Sequence, residues 1–391
     1  MLAYPTSWVE SVATTKEAKR WLGSGIITDD QYKAIRARYT TDVYHPTLFI
    51  RIALFFFTYL CVGAAYGLLF LFIDTASVAG VSVMMVILGA MSYGALEGII
   101  SQKRLYQAGI DDALLYASLG MMVGGVIGLA FAVSDDLPSF VPCLLALPFL
   151  VWGSVRFADK VASAGAFVTA MLIPVLPLLD AGPTAKALTP FIVMGLSVPF
   201  YFITRKLQGD ARCGHWRDCL KVVELLSLAT FYLGGNYLVV REMSENLMMV
   251  HIGEGGDIPW AMVFYVLTVV IPCVYIGRGL VLRDHILLRI GLLAAAFSVV
   301  TFKVYFSLGH PEIILTLGGG ALMLMAFLGI RFLRTPRNGM THQNLLTNKL
   351  ESLDVEAALL AQTMGSTPHH GEKQFKGEGG KFGGGGTTGD W

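Results

Sequence analysis

From residue 47 to residue 333 the sequence is a ladder of apolar runs, each about twenty residues long, broken by short polar stretches. At a rise of about 1.5 Å per residue such a run matches the hydrocarbon thickness of a bilayer. In lipid a backbone must satisfy its own hydrogen bonds, which leaves helices or a closed barrel, and continuous apolar runs of this length are helical. Residues 283–306 show the pattern most clearly. Thirteen uncharged residues separate Arg289 from Lys303, so the two basic groups stand roughly 21 Å apart along a helix. Asp284 suits the positive end of the helix dipole, and Arg283 and Arg289 hold the start of the helix in the headgroups by snorkelling.

Composition agrees: 54% apolar and 15% charged residues in a chain of 391 belong to a membrane class rather than to two or three soluble domains. The expected fold is all-α, a polytopic transmembrane helix bundle. Spans are expected at 47–73, 77–100, 113–134, 138–157, 161–180, 187–205, 219–240, 258–277, 284–306 and 312–333, which makes about ten. The stretches after the even-numbered spans carry Lys103, Arg104, Arg156, Lys160, Arg205, Lys206, Arg212, Arg217, Lys221, Arg278 and Arg283. The opposite stretches carry only Lys186 and Arg241. Eleven basic residues against two put both ends of the chain in the cytoplasm by the positive-inside rule. No apolar core with a cleavage site occurs in residues 1–46, so the first span is expected to direct insertion.

The polar ends read as separate units. Residues 1–46 form a cytoplasmic helical hairpin: one short helix from Lys16 to Leu22, a break at Gly23, Ser24 and Gly25, then a capping box at Thr28 and Gln31 opening a second helix. Two short helices bury too little to stand alone, so the hairpin is expected to dock on a partner or on the membrane domain. Residues 334–364 form an amphipathic helix whose Leu346, Leu350, Leu353, Ala357 and Leu360 share one face, which makes 345–360 a second candidate surface for a cytoplasmic protein. Residues 365–391, rich in glycine, are expected to be disordered.

Two sequence fragments recur. Phe-Ile-Arg-Ile-Ala-Leu at 49–54 resembles Leu-Leu-Arg-Ile-Gly-Leu at 287–292, and Asp-Asp-Ala-Leu-Leu at 111–115 resembles Asp-His-Ile-Leu-Leu at 284–288. Either an internal repeat or the ordinary chemistry of a membrane boundary produces such matches. Gly94 and Gly98 in the second span, and Gly120, Gly124 and Gly128 in the third, recur at intervals of four. Glycine on one face lets backbones approach, so these two spans are expected to cross tightly through that face, with Gly125 about 100° round from it. A ligand-lining surface is the alternative reading. Prolines concentrate in the fourth to sixth spans (Pro138, Pro142, Pro148, Pro174, Pro177, Pro190, Pro199), where bent helices build transporter sites.

Chemistry is sparse. Arg51, Glu97, Glu224, Arg289, Lys303 and Glu312 lie within one or two turns of a span's end, where snorkelling accounts for them. The most polar cluster is Glu97, Lys103, Arg104, Asp111 and Asp112 with Tyr106, read as an ion-paired helix connection or as a proton or substrate gate. Cys213, His215 and Cys219 lack a fourth ligand and zinc spacing, so no metal is expected, and no motif calls for a cofactor. The common protease, hydrolase and ATPase signatures do not occur. A net charge of +1 without a dense basic stripe gives no reason to expect nucleic acid.

The segment Trp21-Leu22-Gly23-Ser24-Gly25-Ile26-Ile27-Thr28 with Gln31 and Ile35, ahead of a long helical ladder, resembles multi-spanning bacterial membrane proteins that open with a short helical hairpin. The glycine-rich 383–391 closing in Trp391 is similar to tails of bacterial envelope proteins. That resemblance implies an inner-membrane location and assigns no catalytic residue. The expected function is a non-enzymatic inner-membrane protein with the bilayer and a cytoplasmic protein as partners. A small-molecule transporter with its site among spans four to six is the alternative, and an intramembrane enzyme a third reading.

Overall fold

The computed structural model describes residues 3–39, 46–71, 77–103, 105–246 and 257–305, with a few positions between 319 and 331. Apart from those positions the expected span at 312–333 lies outside the described residues, as do the helix at 334–364 and the tail. Among the described residues there are helices and no strands. In order they are α1 (Thr6–Gly23), α2 (Asp29–Arg38), α3 (Leu48–Phe70), α4 (Val78–Lys103), α5 (Ile110–Val133), α6 (Val141–Phe157), α7 (Lys160–Asp180), α8 (Pro183–Gln208), a short 3-10 turn (Ala211–Trp216), α9 (Arg217–Gly235), α10 (Tyr237–Asn246), α11 (Ala261–Leu282) and α12 (His285–Tyr305). Seven of them, α3, α4, α5, α7, α8, α11 and α12, are long and apolar enough to cross a membrane.

Two expected spans differ in form. α6 has 17 residues, a length of about 25 Å. Pro142 sits in its first turn, where a missing N–H costs nothing. The seventh expected span ends at Gly235 instead of running to 240, and α10 leaves it at 75°. Contrary to the expectation from prolines, the sharp break is here: α7 runs on through Pro174 and Pro177, and α8 through Pro190 and Pro199. The reason is a set of side chains that replace the lost backbone bonds. Asn236, fully buried, donates through Nδ2 to the Tyr232 hydroxyl (2.9 Å) and to Thr301 Oγ1 (3.0 Å), and accepts at Oδ1 from the Val239 N–H (3.3 Å). The Tyr237 N–H donates to Thr268 Oγ1 (3.0 Å) and Ser298 Oγ to the Thr268 carbonyl (2.6 Å). Among the described residues no buried side-chain polar atom lacks a partner, as burial requires. α10 then buries Tyr237, Val240 and Ser244 on one face and pairs Arg241 with Glu245 (3.0 Å).

Neighbours in sequence pack as antiparallel pairs, α4 with α5, α6 with α7, α8 with α9 and α11 with α12, and α7 joins the two halves by touching both α8 and α9. One apolar cluster gathers Leu96 and Ile100 of α4, Leu114, Leu115 and Leu119 of α5, Phe157 of α6 and Ala162 of α7. A second gathers Met194, Leu228, Tyr232, Ile271, Tyr275 and Leu287 from α8, α9, α11 and α12. α3 lies at the periphery, against α5. Its fragment match with α12 does not extend to environment, because Arg51 is paired with α5 whereas Arg289 is exposed.

α4 and α5 do form the most extensive helix pair among the described residues, and of the expected glycine stripe only Gly124 and Gly128 face it, toward side chains. A Cβ on Gly94, Gly98 or Gly120 would meet nothing within 4 Å, and on Gly124 only the Met85 side chain at 2.7 Å. On Gly128 it would meet the side chain of Ser82. The backbones approach instead at Gly125, whose Cβ would lie 2.7 Å from the Ser82 carbonyl oxygen and 2.9 Å from the Val86 nitrogen. They approach again at Gly89, whose Cβ would lie 2.9 Å from the Met122 nitrogen. The closest backbone approach thus runs along small residues seven apart, Ser82 and Gly89 against Ser118 and Gly125, while Gly124 and Gly128 meet side chains only. Gly125→Leu is therefore expected to cost about 1–3 kcal/mol or more through overpacking, and Gly124→Leu less, because Met85 can swing aside. Gly94→Leu should be close to neutral. Melting temperatures of the three variants in detergent check the order.

Candidate functional site

The starts of α3, α5, α7, α9 and α12 and the ends of α4, α6 and α8 come together at one end of the bundle, stitched by ion pairs. The tightest node is Asp111. Its side chain is almost fully buried and accepts four hydrogen bonds: from the backbone N–H of Gln107 (2.8 Å), Ala108 (2.9 Å) and Gly109 (3.0 Å), and from the Tyr4 hydroxyl (2.9 Å). The position at the start of α5 adds the favourable end of the helix dipole. A carboxylate so provided for holds a turn in shape and has no lone pair left to gate anything.

The turn it holds is built around Gly109, at φ +92°, with Gln107 at φ +50° beside it. A Cβ on Gly109 would run into the carbonyl oxygen of Arg51, so only glycine lets α3 come this close. That approach delivers Arg51 to Asp112: Nε and Nη2 both donate to Oδ2, at 2.9 and 2.6 Å. Snorkelling does not account for Arg51; it is turned inward to a partner on α5. The same correction holds for Glu224, which is fully buried on α9. It accepts from Arg205 Nη1 (3.2 Å) and Gln208 Nε2 (2.7 Å), while Arg205 also reaches Asp284, the cap of α12.

Of the cluster expected from the sequence, Asp111 and Asp112 come together, but Glu97 does not join them. Glu97 takes Arg156 Nε at 3.0 Å and Nη2 at 3.1 Å, a forked pair between α4 and α6. Lys103 is exposed at the end of α4, and Arg104 lies outside the described residues. A polar cavity of about 170 Å³ opens beside Asp112. Its walls carry Arg51, Asp112, Asp159 and Lys160, with the phenols of Tyr4 and Tyr116 and with Ala158, another left-handed residue, at φ +50°. Each charge is engaged: Asp159 caps α7 through the Ala162 N–H (2.7 Å) and accepts from Tyr116 (3.0 Å), and Lys160 pairs with Asp218 (3.2 Å). Pockets for drug-sized ligands run to about 300–1,000 Å³, and this one is smaller.

Sequence reasoning missed Tyr4 and Asp159, took Arg51 for a snorkelling residue and counted Lys160 only among the basic residues beside the spans. Asp159 ahead of an apolar run is a readable cap signal. The pairing of Arg51 with Asp112 spans 61 positions and Tyr4 with Asp111 spans 107, and nothing local marks either. Compared with protein-family models, with curated proteins and with solved structures, the chain has no match in any of the three. Its function is therefore read from geometry and charge.

Gly109→Ala is expected to destabilise by roughly 2 kcal/mol or more, from the left-handed backbone and the contact with Arg51 together. Its melting temperature against wild type checks this. Burial first, then the neighbouring Asp111 carboxylate, pushes the Tyr4 phenol well above its usual value. A raised pKa means that the folded state favours the neutral phenol. The stability it adds is full below about pH 10 and is lost as pH rises through the folded value. Tyr4→Phe should cost about 1–3 kcal/mol near neutral pH, and its deficit against wild type should shrink in melts above pH 10.

Proposed function

We propose that this chain is a non-enzymatic, multi-pass protein of the bacterial inner membrane, with ten spans and both ends in the cytoplasm, that holds a cytoplasmic protein on its paired N-terminal helices. The observation that supports the reading is the way the first helices are mounted. Tyr4 is driven into the basic end of the bundle and bonded to Asp111, whereas α2 has no buried residue and Trp21 and Ile26 stay exposed. A helix pair anchored at one end, with α2 bare along its length, suits a docking platform. Residues 345–360 are the second surface in this proposal, and the glycine-rich 365–391 a tether.

The orientation follows from where the basic residues fall. Arg156, Lys160, Arg205 and Arg51 belong to one end of the bundle, which the positive-inside rule makes cytoplasmic. Reporter fusions after Lys160, Lys206 and Arg334 should report cytoplasm, and fusions at Asp136 and Glu254 the far side. An inverted result at Arg334 alone would remove the tenth span.

A second reading, a small-molecule transporter, draws on the charged cavity and on the break at Asn236, since interrupted helices are where transporters build sites. Uptake and metabolite levels in a deletion strain separate the two. The platform reading predicts a partner co-purified with the full chain and lost on Trp21→Glu and Ile26→Glu, with uptake unchanged. Loss of one solute's transport, restored by purified protein in liposomes, would favour the transporter instead.

A further inference from the structure

The carboxylates that tie this end of the bundle have both oxygens bonded, with one exception. Asp111 takes two hydrogen bonds on each oxygen. Glu97 takes Arg156 Nε at Oε1 and Nη2 at Oε2, and Glu224 takes Arg205 and Gln208 on separate oxygens. Asp159 takes the Ala162 N–H at Oδ1 and the Tyr116 phenol at Oδ2. Asp112 differs. Both donors of Arg51, Nε and Nη2, converge on Oδ2, where a fork-to-fork pair would use both oxygens. Among the described residues neither Asp112 Oδ1 nor Arg51 Nη1 makes a hydrogen bond. The Asp112 side chain is only 14% exposed, so an idle oxygen there is out of keeping with its neighbours. No unbonded side-chain polar atom among the described residues is buried, so both atoms stand open to solvent, and both residues line the polar cavity. A second wall comes from the start of α7, Lys160 and Val161. Of the N–H groups in that first turn, Ala162 gives its own to Asp159 Oδ1 and Ser163 to the Asp159 carbonyl, which leaves those of Lys160 and Val161 as donors without an intrahelical acceptor.

We propose that the cavity is a binding site for a small zwitterion, an ammonium joined by a short spacer to a carboxylate or phosphate: the ammonium meets Asp112 Oδ1, and the anionic end meets Arg51 Nη1 and the start of α7. A solute with one charge is disfavoured on this wall. A lone cation would stand beside the Arg51 guanidinium, and a lone anion beside Asp112 and Asp159, so each would meet its like as well as its opposite. A zwitterion presents an opposite charge to both open atoms and leaves the bonds of Arg51 to Oδ2 in place. Size agrees: a cavity of about 150 Å³ takes a benzene ring, so about 170 Å³ suits a solute of about six non-hydrogen atoms. A free amino acid has this chemistry, and so does the headgroup of an ethanolamine phospholipid. The inference rests on neither function proposed above, and its failure leaves both standing.

The test melts the purified full chain in a nonionic detergent against rising β-alanine. Ethylamine and propionate, each of them β-alanine without one of its charges, are titrated at matched ionic strength. β-Alanine should raise the melting temperature to a plateau, and the other two should need about tenfold more solute or beyond for half the effect, the factor for one hydrogen bond to a charged group. Asp112→Asn should raise the half-saturating concentration of β-alanine about tenfold or more. Val161→Trp brings an indole to the cavity from an exposed wall position. It should abolish the β-alanine shift while keeping the solute-free melting temperature, and it serves where Asp112→Asn does not fold. Nanodiscs of phosphatidylethanolamine and of phosphatidylglycerol tell the two sources apart: a shift kept in both marks a free solute, and a shift lost only in phosphatidylethanolamine marks the lipid headgroup. An equal shift from ethylamine or propionate, no plateau with β-alanine, a shift confined to detergent or a full shift in Val161→Trp would overturn the proposal and leave the cavity to water alone or to a single ion.

Discussion

A charge withdrawn from water has to be met by partners already in place, and this requirement organises one whole end of the bundle. Asp111 is met by three backbone donors and a phenol, Asp112 by Arg51, Glu97 by Arg156, and Glu224 by Arg205 and Gln208. The pairs of Arg51 with Asp112, Arg156 with Glu97 and Tyr4 with Asp111 join parts of the chain 59 to 107 positions apart. Between helices in lipid there is no hydrophobic force to draw surfaces together, so directional polar contacts and close packing have to locate the helices. The cost of leaving any one carboxylate unmatched is what makes the arrangement specific. The cavity lies among these pairs because their side chains hold the ends of α3, α5 and α7 at a fixed separation.

The same requirement governs the interior. Where α9 breaks at Asn236, side-chain oxygens and an amide take over bonds that the helix gives up, and a 75° turn is held without an unmatched buried side chain. The prolines of α7 and α8, by contrast, produce no break of that kind. A missing donor matters less than whether neighbours supply what the freed carbonyl needs. Past the bend α10 packs against α9, α11 and α12, where Tyr237 stacks on Tyr265 at 4.1 Å and Arg241 meets the Tyr237 hydroxyl at 2.9 Å.

What the sequence by itself determined is the class and much of the layout. Apolar runs of bilayer length dictate helices because no other open structure satisfies a backbone in lipid, and the described helices fall within a few residues of the runs at 47–73, 77–100, 113–134, 161–180, 187–205, 258–277 and 284–306. The cap at Thr28 with Gln31 was legible too, since it depends on residues three apart. Only the tertiary structure decided which glycine face is the contact, because Gly124 and Gly125 are equally small and the choice depends on where Ser82 and Val86 of another helix lie. It also decided that Arg51 turns to Asp112, that Glu97 turns to Arg156, and that Tyr4 reaches Asp111 across 107 positions. A local pattern carries period and length, whereas a pairing depends on the rotation and depth of two helices at once, and those are set by the whole bundle.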